Sequence, residues 1–380
     1  PTLDSSYEGQ VWYDKSTGVL KSVVSFSAFS SAASMSNPRS QAIGGIGTKD
    51  AAIAAGLSAS DGTSEEYNGT GWSSGGTLNN PASLGTGCGT LTAGSRFGGI
   101  QPTPAGKDSN YHENYDGTSW TAATGMPFDS YQNACGGTQT ANIVVQSFFN
   151  PTPSSGGFPT ATAEWDGSSW TAGGAISTAR REAFSSKGGG TQTSTFLAGG
   201  NSPGGIKNSS ETYDGTSWTS TPNINTARMR GGGGGTATAG IIVAGTTSDP
   251  QPPGLTTATE SWDGSSWTTN PFSTGVAIYS QGSAFATSTS GVTFGGTDST
   301  GTVATTEELT TSINAITAAA WSSGDNLPTV VYRNTGFGTQ TAGVSAGGSS
   351  NPPGAQPSTT NVFKYDGSSW TSTGALGTAR

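Results

Sequence analysis

Apolar positions along this chain come in short runs, separated by Gly, Ser, Thr, Pro and Asn. Nowhere do they recur with the 3.6-residue period of an amphipathic helix. The pattern predicts short β-strands joined by tight turns. In one stretch four strands can be read, at 176–185, Thr195–Ala198, Ser210–Tyr213 and 217–220. The last two flank a hairpin, Tyr213-Asp214-Gly215-Thr216-Ser217-Trp218, in which Asp-Gly supplies the positive-φ turn and an aromatic stands on each arm. Such a cross-strand pair adds only about 0.2–1 kcal/mol, too little for a lone hairpin to persist. Each copy must therefore stack on a neighbour.

Neighbours are supplied by repetition. The hairpin returns at 115–120, 165–170, 262–267 and 365–370, with a weaker version at 67–72. Anchor tryptophans fall at Trp72, Trp120, Trp170, Trp218, Trp267, Trp321 and Trp370, a repeat of about 49 residues. Four antiparallel strands per repeat make one blade of a β-propeller. Seven anchors predict seven blades. Six or eight are the alternatives, because the tail Ala375-Leu376-Gly377-Thr378-Ala379-Arg380 repeats the opening of a unit. Residues 1–30 stand apart as a hairpin turning at Lys15-Ser16-Thr17, and 25–34 are Ser/Ala-rich and linker-like. The expected division is an attachment segment at 1–30 and a propeller at 31–380, with completion of a sheet by the N-terminal strands as the other option.

Double glycines follow the second strand at Gly98-Gly99, Gly199-Gly200, Gly295-Gly296 and Gly347-Gly348, with Ala244-Gly245 as a partial match. Together with the downstream Tyr and Trp, they resemble the kelch repeat over residues 34–380. The third unit departs, with Val144-Val145-Gln146-Ser147, and so does the sixth, with Glu307-Glu308-Leu309. The resemblance implies an all-β, closed propeller of four-stranded blades. It implies little about activity, because kelch propellers serve as enzymes, adaptors and lectin-like modules. The turn is also similar to the Asp-box of sialidases, but that box has a residue between its Asp and Gly and none intervenes here.

A net charge of −9, with 15 scattered Lys and Arg, argues against a nucleic-acid partner. No apolar stretch reaches the roughly 20 residues of a membrane-spanning helix. One histidine, His112, argues against a metal centre or other cofactor, and no Ser or Cys triad is visible. A glycosidase needs only two carboxylates, and Glu65, Glu66, Glu307, Glu308 and Asp325 are the residues to watch. Asp116, Asp166, Asp214, Asp263 and Asp366 read as turn residues. The glycine run from Gly231 to Gly235 lacks the ending of a phosphate loop and reads as close strand packing. Arg39, Arg180, Arg228 and Arg380 precede first strands, where they pair locally or ring an anion-binding channel. Cys88 and Cys135 hold similar places in adjacent units, as buried thiols or as a disulfide.

Loops between second and third strands, at 100–110, 148–162, 201–209, 246–259, 297–306 and 349–361, vary in length and carry most of the prolines. They emerge on one face of a propeller, where recognition usually resides. Tyr111, Phe148, Phe149 and Phe158 are the candidate binding residues. The opening Glu8-Gly9-Gln10-Val11-Trp12-Tyr13, followed by Gly/Thr/Ser-rich blades, resembles structural proteins of marine bacteriophages. That resemblance implies a non-enzymatic virion protein on an extracellular particle, such as a tail-fibre, receptor-binding or decoration component. Its expected partners are other virion proteins through the N-terminal segment, a host surface glycan or protein, and further copies of itself. The alternative is a secreted propeller that binds or acts on carbohydrate.

Overall fold

The computed structural model describes residues 11–15, 19–40, 43–58, 60–102, 107–148, 157–249, 253–317, 325–339, 342–349 and 357–379. Phe149, Trp321 and Arg380 lie outside them. Every helix or strand among the described residues is a β-strand. Seven sheets of four or more strands run in chain order. Five, with most of the sixth, lie in one compact unit, 26–312; the seventh and the sixth sheet's outermost N-terminal strand belong to another, which joins 1–25 to 313–380.

The first sheet contains Gly47–Thr48, Ala51–Ala55, Ser64–Tyr67 and Trp72–Ser74. The second contains Thr86–Thr90, Ala93–Phe97, His112–Tyr115 and Trp120–Ala122. In the third are Ala134–Gly137, Asn142–Val145, Thr162–Trp165 and Trp170–Ala172; in the fourth, Phe184–Ser185, Thr195–Ala198, Ser210–Tyr213 and Trp218–Thr221. The fifth has Gly232–Gly235, Gly240–Val243, Thr259–Trp262 and Trp267–Thr269, and the seventh Thr335–Thr339, Ala342–Ala346, Val362–Tyr365 and Trp370–Ser372. The motif hairpin pairs Tyr213 with Trp218, their rings 5.1 Å apart.

The sixth sheet differs. After Gly282–Thr287, Ser290–Phe294 and Thr306–Thr317, its next strand is Val19–Ala32 from the N-terminus, which in turn pairs with Val11–Asp14. The predicted N-terminal hairpin is present, but 25–32 is strand and not linker. Its Ser/Ala composition hid a two-residue alternation, in which Ser27 and Phe29 turn inward while Phe26, Ala28 and Ser30 stay exposed. Phe29 lies 6.3 Å from Phe272 and 6.5 Å from Phe285, the place a tryptophan takes in other sheets.

Six apolar clusters fill the gaps between these sheets. Ile43, Ile46 and Ile53 of the first receive Tyr115 and Trp120 of the second. Ala134, Ile143 and Val145 of the third receive Tyr213 and Trp218 of the fourth. Ala284, Val292 and Phe294 of the sixth receive Tyr67 and Trp72 of the first. In four sheets the second residue of the glycine pair, or of its Ala244-Gly245 variant, adds a repeated bond to the following sheet. Gly99 N–H donates to Ser130 O at 2.9 Å, Gly200 to Arg228 O at 2.9 Å, Gly245 to Ile278 O at 2.9 Å, and Gly296 to Arg39 O at 2.7 Å. Gly199 and Gly200 hold φ of 61° and 95°, and a Cβ on Gly199 would lie 2.4 Å from Arg228 O. The fifth sheet holds this geometry with Ala244 at φ 53°.

The inner strands explain the glycine runs. A Cβ on Gly136 would sit 2.1 Å from Thr195 Oγ1, and one on Gly234 would sit 2.4 Å from Lys187 O. Side chains cannot enter there.

Candidate functional site

The recurrent arginines are spent internally. Arg39 pairs with Glu65 at 3.0 Å, Arg228 with Glu260 at 3.2 Å, and Arg180 with Glu211, all essentially buried. The second sheet has Ala82 in place of that arginine, and Arg96 reaches the same spot from the second strand, 2.6 Å from Glu113. In the third sheet both partners are gone, replaced by Ser130 and Ala163. The sixth keeps Glu307 without an arginine; Ile278 stands in its place, and the carboxylate accepts from Gly275 N–H at 2.6 Å. Burial pushes the Glu307 carboxyl up, whereas the pairing with Arg96 holds Glu113 down against its own desolvation. Arg39, Arg180 and Arg228 therefore line no anion channel, and Arg380 lies outside the described residues.

Two residues past these arginines the backbone turns left-handed. Leu84, Gln132, Glu182, Arg230 and Ser280 hold φ between 54° and 62°, costing about 1–3 kcal/mol each. Links between sheets offset that strain. Gln132 N–H donates to Leu84 O at 2.6 Å, Arg230 to Glu182 O at 3.0 Å and Ser280 to Arg230 O at 2.6 Å. All five residues line one cavity, with Lys187 beside them. Glu182 is ion-paired to Arg230, and burial raises its carboxyl. The cavity holds only about 50 Å³, room for a few waters and too little for a sugar ring.

A larger recess of about 610 Å³ opens beside it, on the edge that carries the variable loops. This is within the roughly 300–1,000 Å³ of small-molecule clefts. Arg181 forms its centre, held between the rings of Phe148 at 4.2 Å and Phe158 at 4.8 Å by cation–π contact. Asn201 Nδ2–H donates to Asp249 Oδ2 at 2.9 Å, and Arg181 lies 3.9 Å from the same oxygen. Ser202, Thr247 and Ser248 add hydroxyls, while Phe158, Pro203 and Ile206 give apolar wall. The recess thus offers donors, acceptors and a small apolar floor, with one charge of each sign.

Of the four candidate binding residues, Phe158 lines this groove. Phe148 is 8% exposed and stacked on Tyr131, at 4.5 Å and 6°, so it backs Arg181 and offers no free face. Burial, then the nearby Asp108 and Glu182, pushes Tyr131 up to about 12. Tyr111 is half-buried, donating to Gln101 Oε1 at 2.9 Å under the Arg96 guanidinium. Phe149 lies outside the described residues. Arg181, Asn201 and Asp249 were missed by the sequence reading. Their one signal was the doubled arginine of Ala179-Arg180-Arg181, where the following unit has Ala227-Arg228-Met229.

Other candidates resolve into structure. Asp116 Oδ1 accepts from Thr118 N–H and Ser119 N–H, both at 2.8 Å, and the other Asp-Gly hairpins repeat this. Those bonds hold the turn aspartates below the usual range, with Asp214 at about 2. His112 is packed among Phe97, Trp165 and Trp170, and burial lowers it to about 4, so it is neutral. Glu65 and Glu307 have the partners given above, while Glu66 accepts from the Tyr115 hydroxyl and Glu308 from the Tyr67 hydroxyl at 2.6 Å. Asp325, in the other unit, accepts from Trp370 N–H at 3.3 Å. Cys88 and Cys135 are free and buried, and Cys135 Sγ–H donates to Gly87 O at 2.9 Å. Among the described residues, no three His, Cys, Asp or Glu side chains gather to hold a metal ion.

No protein-family model matches the chain, and no curated protein does. Among solved structures it is similar to one titled "Structure of YjhT", with a TM-score of 0.58 and 14% identity. The alignment covers 74% of this chain and 99% of that one. At that identity the likeness speaks for the fold alone, and the fold is a β-propeller.

Proposed function

We propose that the six sheets of 26–312 are the blades of one closed propeller, and that it binds a saccharide on its loop face without transforming it. The cluster and glycine bond joining the sixth sheet to the first support closure, and the N-terminal strand Val19–Ala32 completes the last blade. Residues 26–312 make up about three quarters of the chain, close to the share aligned with YjhT.

The observation that carries the binding reading is the amphipathic groove around Arg181. A pyranose ring has an apolar C–H face and a rim of hydroxyls. Phe158 and Ile206 suit the first; Asn201, Asp249 and the Arg181 guanidinium suit the second. Among the described residues Asp249 is the one carboxylate lining the groove, and Glu182 next to it is committed to Arg230, which favours a binder over a two-carboxylate hydrolase. Glycan-array screening followed by calorimetry tests this. Asp249→Ala and Phe158→Ala should each weaken the best glycan about tenfold or more, and Tyr111→Phe should leave it unchanged. Equal affinity in all three variants, or release of sugar from the glycan, rejects the reading.

A second reading is favoured by the exposed seventh sheet, which gives the chain a surface for assembly. In it the propeller is displayed on a bacteriophage particle. Fractionation of purified particles decides this: the chain sediments with them, or it stays in solution and the setting is wrong.

A further inference from the structure

The register of the seventh sheet copies that of the third. Thr335 pairs with Ala346 as Ala134 with Val145, and Phe337 with Val344 as Gly136 with Ile143. Tyr365 pairs with Trp370 as Trp165 with Trp170. Directly opposed residues share a face. One face therefore presents Phe337, Val344 and Ala346, the positions that receive a neighbouring blade. The other presents Tyr365 and Trp370, the positions that insert into one. In the unit 26–312, Ile143 and Tyr213 are wholly buried in such contacts; here Phe337 is 68% exposed, and Tyr365 and Trp370 are only half-buried.

We infer that a second copy of this chain covers the seventh sheet, head to tail, with Tyr365 and Trp370 of one copy packed on Phe337 and Val344 of the next. Three observations select this occupant. The receiving face is shaped by sequence for a Tyr/Trp face, and the same sheet carries one on its opposite side. The six clusters of 26–312 already join each sheet there to its neighbours, so that unit has no matching face to spare. The polar match changes in step. Where Glu66, Glu164 and Glu308 take the tyrosine hydroxyl of the following sheet, the seventh has Lys364, an ammonium to which the neighbouring copy's Tyr365 oxygen is an acceptor. An interface between unlike faces leaves one of each free at the ends, so copies add into a ring or a filament.

Sedimentation equilibrium of the full chain, from low to high micromolar, tests the inference. The mass should rise with concentration. Phe337→Asp should weaken association about 30-fold or more, as loss of an interface anchor does, with an unchanged circular dichroism spectrum. Val344→Asp, on the same face, should repeat this, and Phe26→Ser, at the exposed aromatic of the other unit, should not. A monomer across the whole range overturns the inference. So does association that survives Phe337→Asp but is lost in Phe26→Ser, because the contact is then elsewhere.

Discussion

Gly136 of the third sheet and Phe337 of the seventh occupy the same register position, and the contrast between them divides the molecule. At Gly136 even a Cβ would run into Thr195; at Phe337 a whole aromatic ring stands in solvent. The first position belongs to a sheet packed on both faces by its neighbours in 26–312, the second to a strand whose side chains are exposed. Seven repeats of nearly the same chemistry therefore lead to two outcomes. The position accepts a range of side-chain volume: Gly136, Gly234 and Ala284 allow close approach, Ile46 of the first sheet is buried there against Tyr115 and Trp120, and Phe337 is exposed. A blade's hairpin sequence is shared by both kinds and does not distinguish them.

The comparison can be strained hardest at the buried ion pairs, which only the sheets of 26–312 carry among the described residues. Glu260→Ala leaves the Arg228 guanidinium buried and uncompensated, and should cost about 3–5 kcal/mol by chemical denaturation. Arg228→Met with Glu260→Ala should recover much of that, because the third sheet does without both partners. If the double variant is as unstable as the single one, the pair is not a replaceable unit.

Glu307 gives a smaller effect of opposite sign. Its folded-state pKa is raised by burial, so between its unfolded and folded values the native state holds the extra proton. Its contribution is therefore fully present below the unfolded pKa and is lost as pH rises through the folded one. Glu307→Gln should stabilise the protein near neutral pH and flatten the mildly acidic part of the stability–pH curve. A variant less stable than the parent at neutral pH would mean that the Gly275 amide bond outweighs desolvation.

Much of this architecture was legible in the chain. Trp72, Trp120, Trp170, Trp218, Trp267 and Trp370 all mark fourth strands, and the Asp-Gly turns have the backbone bonds their residues predict. What spacing could not tell was which repeats touch. That depends on partners distant in sequence, such as Tyr67 with Glu308 or Gly296 with Arg39. A chain-internal clue did exist: Tyr67, Tyr115 and Tyr213 follow sheets that offer Glu308, Glu66 and Glu164, while Trp165, Trp262 and Leu309 follow Asn114, Thr212 and Ser261. The groove was less legible. Aromatic content pointed to Phe148, but Arg181 covers one of its faces and Tyr131 the other. The recess is defined by Asn201 and Asp249, which look like ordinary loop residues in a line of text.

The claim that six sheets complete a ring and the seventh stands spare is tested most directly by hydrogen exchange at two protein concentrations. Amides of Gly282–Thr287 should be protected equally at both. Those of Thr335–Thr339 should exchange fast in dilute monomer and slow as copies associate. Protection of Thr335–Thr339 equal to that of Gly282–Thr287 in the dilute monomer would contradict the account, because the seventh sheet would then have its neighbours within one chain.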